Sequence, residues 1–240
     1  MNTLTIARRE LSTFFHSPIA YIVLGVFLAL AGYLFFFFSG LFIVGKATMR
    51  PFFDLSPILF MFLVPAITMR LIAEERKSGT FETLMTLPVR EWEIVVGKFL
   101  AALATIAIAL VFTLPWAVSL VAATAKDAVF DWGPVLGGYL GVILMASAFI
   151  AVGLFASALQ KNQIVGFIVG LALCFGLWFP DKVAIVLPSG FAEIAQYLSV
   201  GYHFQNIARG VVDTRDVFYY ITVTAIGLLA TTRVLASVRK

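Results

Sequence analysis

The sequence predicts an all-α integral membrane protein with six transmembrane helices, and three observations lead there. Hydrophobic residues make up 61% of the 240 positions and charged ones only 12%. With a mean hydropathy of +1.00, the chain has too little polar surface to cover a soluble globule. Six apolar segments approach the roughly 20 residues that a helix needs to cross about 30 Å of hydrocarbon. The 17 Lys and Arg residues divide unevenly between the connections, as in chains whose basic loops stay in the cytoplasm.

At the N-terminus, Leu4, Ala7, Leu11, Phe14 and Phe15 share one helical stripe, whereas Arg8, Arg9, Glu10 and Ser12 fall elsewhere. That pattern predicts an interfacial helix over residues 1–17, lying along the inner leaflet. Ser17-Pro18 then turns the chain, because proline biases its predecessor away from the helical region and suits a first helical turn. The first span, 19–42, is too long for the core of a cleavable signal peptide and is expected to anchor the chain. Further spans are expected at 57–72, 94–122, 135–156, 164–179 and 217–235, the second and fifth of them short. Pro57, Pro65 and Pro115 each remove a backbone donor and predict kinks that neighbours must compensate. Gly137-x-x-x-Gly141 and Gly166-x-x-x-Gly170 permit close helix approach.

With the N-terminus inside, eleven of the 17 basic residues face the cytoplasm and six face out, so both termini are expected to be cytoplasmic. The outer segment, 180–216, carries two helical stripes, Phe191/Ile194/Ala195/Leu198 and Phe204/Ile207/Ala208/Val211. Two short re-entrant or interfacial helices would give that pattern, and a partly ordered external loop is the alternative.

The residues give no catalytic or metal site. Gly40 to Ala47 nearly spells a phosphate-binding loop, but Ala47 stands where a magnesium-binding hydroxyl is needed and no strand precedes it; Lys46 more simply reaches for headgroups. His16 and His203 read as surface or packing residues, and Cys174 as a buried thiol. The apolar middles of the spans hold no acid, base or histidine, the groups that mark proton relays and ion paths. Energy for uphill transport must therefore come from another polypeptide, and nothing in the pI near 9.3 calls for nucleic acid.

The expected cytoplasmic loop, 73–93, is where such a polypeptide would push. Ser78-Gly79 interrupts the preceding helix, Thr80 can cap a new one, and Glu82 places negative charge near its N-terminus. Phe81, Leu84 and Met85 share a face, and Pro88 stops the helix after about two turns. This short crosswise helix needs a partner cleft or a lipid surface for its apolar face. Glu74, Glu75, Arg76 and Lys77 either hydrogen-bond across that contact or solvate the loop.

"EERKSGTFETLMTLPVREWEIVVGKFLAAL" resembles the first cytoplasmic loop of the ABC-2 type permeases, through Glu74, Glu75, Gly79, Thr80, Glu82, Leu84, Pro88, Gly97 and Lys98. "LSVGYHFQNIARGVVDTRDVFYY" is similar to the segment before the last span in the gliding-motility-associated permease subgroup. Leu198, Ser199, His203, Phe204, Arg209, Gly210, Asp213, Arg215 and Asp216 carry that likeness, and "RRELSTFFHSPIAYIV" adds to it. The resemblance implies a bacterial inner-membrane subunit of the type V exporter kind that works as a homo- or heterodimer with two copies of a separate ATPase. ATP and magnesium would sit on that partner, not on this chain. It makes Thr80 to Thr86 the coupling helix and the N-terminal helix, with Arg8, Arg9, Leu11 and Phe14, a second contact. The outer helices, with His203, Phe204, Arg209, Gly210 and Asp213, become a lid over the exit path. Two functions fit: a translocating permease, or a non-translocating mechanotransmission subunit that moves a periplasm-facing auxiliary subunit.

Overall fold

The computed structural model describes residues 3–38, 48–79, 89–123 and 131–238. Thr3–His16 forms α1, and after the extended Ser17 the helix α2, Pro18–Tyr33, starts with proline in its first turn. α2 continues into a wider π-helical turn, Leu34–Phe38. Then come α3, Arg50–Ser78; α4, Glu91–Val111; α5, Leu114–Ala123; and α6, Trp132–Leu159. α7 is Gln163–Trp178. Three short helices follow: α8, Pro180–Val183; α9, Ser189–Leu198; and α10, Val200–Ala208. The last is α11, Thr214–Val238.

Among the described residues, five helical stretches are long and apolar enough to cross a membrane, and α7 is a shorter apolar helix. At a rise of 1.5 Å per residue, α7 spans only about 24 Å. The helix expected around 57–72 is much longer, running 29 residues through Pro57, Pro65 and the charged stretch up to Ser78. Pro57 does not break it, because the carbonyl of Phe53 that loses its usual donor accepts from Ser56 Oγ at 2.8 Å. The stretch expected as one span at 94–122 lies within one long apolar stretch, Glu91–Ala122, with a short turn inside it. Phe112 and Thr113 separate α4 from α5, and Thr113 Oγ1 donates to Leu110 O at 2.7 Å.

α6 forms the centre, with α3, α4, α7, α10 and α11 packed around it. Small side chains make this possible: Ala146, Ala148, Ala151 and Ala156 are all fully buried, and a Cβ on Gly138 would lie 2.3 Å from the Phe53 ring. α2 and α11 sit at the rim, where Val26, Phe218 and Leu229 stay more than half exposed, as lipid-facing positions require.

Contacts define two ends. At one, the α1 end, Arg70 donates to Ser17 Oγ at 3.3 Å and Arg76 donates to Ala158 O. At the opposite end Phe35 stacks on Trp116 at 5.8 Å, and Trp116 meets Phe52 edge-on at 5.6 Å.

Near the α1 end Ser157 enters the backbone ladder of α3. Its Oγ accepts from Ala73 N at 3.0 Å and donates to Met69 O at 3.1 Å, so one hydroxyl ties α6 to two backbone groups of α3. Ser157→Ala is expected to lower stability by about 1 kcal/mol. A thermal unfolding series of the purified chain reads the loss.

Candidate functional site

The segment singled out for partner contact leaves α3 at Gly79 and returns at Val89. Gly79 ends α3 in the left-handed region, at φ 75°, where an L side chain would strain the backbone. Val89 is buried in a small cluster with Ile6 and Ile94. Thr80, Phe81, Glu82, Leu84, Met85 and Pro88 lie outside the described residues, as do Gly40 to Ala47. The returning end of the segment is thus fixed beside α1 through Val89.

α1 is held there by shape and by charge. Its buried side chain is Ile6, which faces α4 where Gly97 leaves room. A Cβ on Gly97 would sit 2.7 Å from Ile6 Cγ2 and 3.1 Å from Thr3 O. The expected stripe is shared between the protein and the outside: Phe14 and Phe15 pack against the main core, Leu11 is half-buried and Leu4 is 73% exposed. The helix buries Ile6 on the bundle and leaves part of its apolar stripe for lipid, and Arg8 and Arg9 point to solvent. Gly97→Ala is expected to push α1 off α4 and destabilise by about 1–3 kcal/mol; faster cleavage by trypsin after Arg8 and Arg9 would report it.

The charged contact is a buried triad. Lys98 is fully buried, with Nζ 2.8 Å from Glu75 Oε1 and 3.3 Å from Glu10 Oε1. Three elements meet at this one ammonium: α1 through Glu10, the end of α3 through Glu75, and the start of α4 through Lys98. Such burial is tolerable only because both neighbours are acids. Glu93 reaches back to the Arg90 amide at 3.0 Å, so the start of α4 is capped as well.

Around the triad, Arg70 binds Glu74 at 2.9 Å. A cleft of about 120 Å³ opens between α1 and α3, lined by Glu10, Thr13, Ser17, Arg70, Glu74 and Glu75. Of the residues expected to face a partner, Glu75 and Arg76 are turned inward, to Lys98 and to Ala158 O, and Glu74 stays partly open. Reading the sequence alone missed the roles of Glu10 and Lys98. The visible sign was a lysine two turns into an apolar helix, where its charge needs a partner.

The expected outer-segment residues gather at the opposite end. His203 and Phe204 are buried, and Gly210 takes φ 87°. Asp213 Oδ1 accepts from Arg215 N at 2.9 Å and so caps α11. Arg209 lines an open cavity of about 640 Å³ with Arg50, Asp54 and Gln205. Val211, placed on an apolar stripe by its spacing, is 66% exposed, because α10 stops at Ala208.

Among the described residues no group of three metal-ligating side chains occurs. No curated protein sequence matches the chain significantly. The family described as ABC-2 family transporter protein matches residues 39–231, which is most of the 240 residues and runs from before α3 into α11. An apolar, multi-helix chain with that match is a membrane component of a transporter, and it belongs to the ABC-2 family.

Proposed function

We propose that this chain is the permease subunit of an ATP-driven exporter, with the α1 end facing the cytoplasm and the segment 80–88 seated on a separate ATPase. The observation that carries the reading is the Glu10–Lys98–Glu75 triad, since a push on the segment between Gly79 and Val89 is handed at once to α1, α3 and α4. An ATPase changes the permease only through contacts that differ between its states, and this end offers a contact wired to three helices. ATP and magnesium belong to the ATPase, two copies of which would serve a permease dimer. The basic residues support the orientation: Arg8, Arg9, Arg70, Arg76, Lys77, Arg90 and Lys98 cluster at the α1 end.

Two apolar grooves flank α3 and support that side as the dimer face and cargo path. One, of about 410 Å³, lies between α2 and α3 around Val26, Leu30 and Phe62. The other, of about 540 Å³, lies between α3 and α7 around Met61 and Leu171. Neither has a charged lining residue, which suits lipid-like or amphiphilic cargo.

Gly79→Pro combined with Glu82→Arg, in the permease purified with its ATPase, is expected to abolish assembly or transport-linked ATP hydrolysis. Unchanged values of both would sink the assignment. The likeness to the gliding-motility-associated subgroup supports a second reading, a mechanotransmission subunit, because α10 is buried firmly enough to carry load to an outer partner. Transport by liposomes holding only permease and ATPase would exclude it.

A further inference from the structure

Four exposed polar side chains border the open cavity of about 640 Å³ between the start of α3 and the end of α10. Arg50 and Asp54 stand one turn apart on α3, and Gln205 and Arg209 stand one turn apart on α10 and its C-cap. Each helix thus presents a polar pair to the same space. Among the described residues, none of the four side chains makes a hydrogen bond or an ion pair. The helix does not force this, because the same spacing further along α3 closes, with Arg70 meeting Glu74 at 2.9 Å. Both guanidiniums still act on the Asp54 carboxylate through space. Behind the cavity the scaffold is firm. Phe52 and Phe53 on α3 and Phe204 and Ile207 on α10 are buried, and Thr48 Oγ1 accepts from Arg50 N at 3.2 Å. Only the charged tips remain to be satisfied.

Two guanidiniums can hold one phosphate through paired N–H···O bonds, and the Gln205 amide can add another donor. Asp54 argues against a plain anion, since its carboxylate would repel one placed between the arginines. It suits an ammonium instead. A phosphodiester with a primary amine a few atoms away satisfies both signs of charge at once, and the cavity falls within the range of about 300–1,000 Å³ usual for small-ligand sites.

What lies along α3 from the cavity indicates the rest of the ligand. Arg50, Asp54, Ile58 and Phe62 follow one another at i, i+4 spacing and form a single ridge, its first two members charged and its last two apolar. Ile58 is 43% exposed and Phe62 53%, and both border the two apolar grooves that flank α3. At 1.5 Å per residue, Ile58 lies about 6 Å and Phe62 about 12 Å along the helix from Asp54. A headgroup in the cavity would therefore lead its acyl chains straight onto an exposed apolar ridge. We propose that this end of α3 binds a phospholipid whose headgroup ends in a primary ammonium. Arg50 and Arg209 take the phosphate, Asp54 takes the ammonium, and the acyl chains lie along Ile58 and Phe62. A soluble phosphoamine shares the headgroup chemistry, and the apolar ridge is what selects the lipid. The site rests on the proposed function only in its lipid-like cargo class, and it needs no ATPase.

The test uses the full chain purified in detergent without an ATPase, so that its failure is distinct from a failure of coupling. Native mass spectrometry reads the occupancy of dioleoyl phosphatidylethanolamine, phosphatidylglycerol and phosphatidylcholine, each at the same concentration. The ethanolamine lipid should be held best, since the glycerol headgroup has no cation for Asp54 and the choline ammonium has no N–H to donate. Arg50→Gln with Arg209→Gln should lower its occupancy about ten-fold or more, the scale of a lost charge-assisted hydrogen bond. Asp54→Asn should reverse the order of the ethanolamine and glycerol lipids, which a merely structural role for Asp54 would not do. Glycerophosphoethanolamine, the same headgroup without acyl chains, should fail to displace the lipid at equal concentration. Equal retention of the three lipids by the unaltered chain would overturn the proposal without any variant having to fold. Unchanged occupancy in the arginine variant, an ethanolamine preference that survives Asp54→Asn, or displacement by the free headgroup would each overturn it as well.

Discussion

Lys98→Met should destabilise the chain by about 3–5 kcal/mol, the usual effect of deleting one member of a buried ion pair. The methionine matches the lysine stem in volume, so little packing is lost. What remains is two carboxylates, Glu10 and Glu75, brought together on α1 and α3 with no cation between them. They can separate only if α1 lifts away, which also exposes Ile6 and opens the Val89–Ile94 contact. Neutralising all three residues, as Lys98→Met with Glu10→Gln and Glu75→Gln, should recover most of the stability, because the repulsion goes along with the attraction. The same triple variant separates folding from coupling. If the triad transmits force from the ATPase, the restored fold will still hydrolyse ATP poorly in response to cargo, because three neutral side chains no longer tie α1, α3 and α4 into one unit. Thermal unfolding of the parent and the two variants, and cargo-stimulated ATP hydrolysis by their complexes with the ATPase, give the two readouts. A single variant as stable as the parent would mean that the triad is solvated and carries nothing.

The sequence shows what the solvent dictates and hides what the side chains agree among themselves. Apolar runs of spanning length, the Ser17-Pro18 turn and the stop at Gly79 are local statements, each fixed by hydropathy or backbone chemistry over a few residues, and the structure has helices and caps there. The length of α3 was not legible, because a charged stretch such as Ala73–Ser78 reads as a loop unless Ser157, Lys98 and Ala158 are known to wait for it. The contact of α1 with the bundle was hidden for a related reason. Its best apolar stripe suits lipid, but the hole left by Gly97 receives Ile6, and nothing near Ile6 in the sequence announces a glycine about ninety residues on. His203 was readable as a packing residue, yet its ring nitrogens meet Asp216 and a carbonyl from the preceding helix, a juxtaposition that only folding creates.

Gly137→Val is expected to undock the outer helices while leaving the α1 end intact. A Cβ at Gly137 would lie 2.6 Å from Ile207 O and 2.9 Å from Gly210 Cα. Both are backbone atoms, so no side chain can swing aside, and α10 itself must move away from α6. Overpacking of this kind costs about 1–3 kcal/mol where side chains can yield, and a backbone collision belongs at the upper end, about 3 kcal/mol. Displacing α10 also strips cover from Phe204 and Ile207 and strains the link at Gly210, where an added Cβ would lie 3.1 Å from the Gly133 carbonyl carbon. Trypsin should then cut faster after Arg209 and Arg215, while cleavage after Arg8 and Arg9 keeps its parent rate. Gly176→Val serves as the control, since a Cβ there meets nothing within 4 Å and should leave both rates alone. The functional consequence is sharper than the structural one. If the two ends of the bundle are the input and output of one machine, this variant will bind its ATPase normally and hydrolyse ATP without delivering cargo. If instead transport survives with α10 undocked, the outer helices are neither lid nor lever.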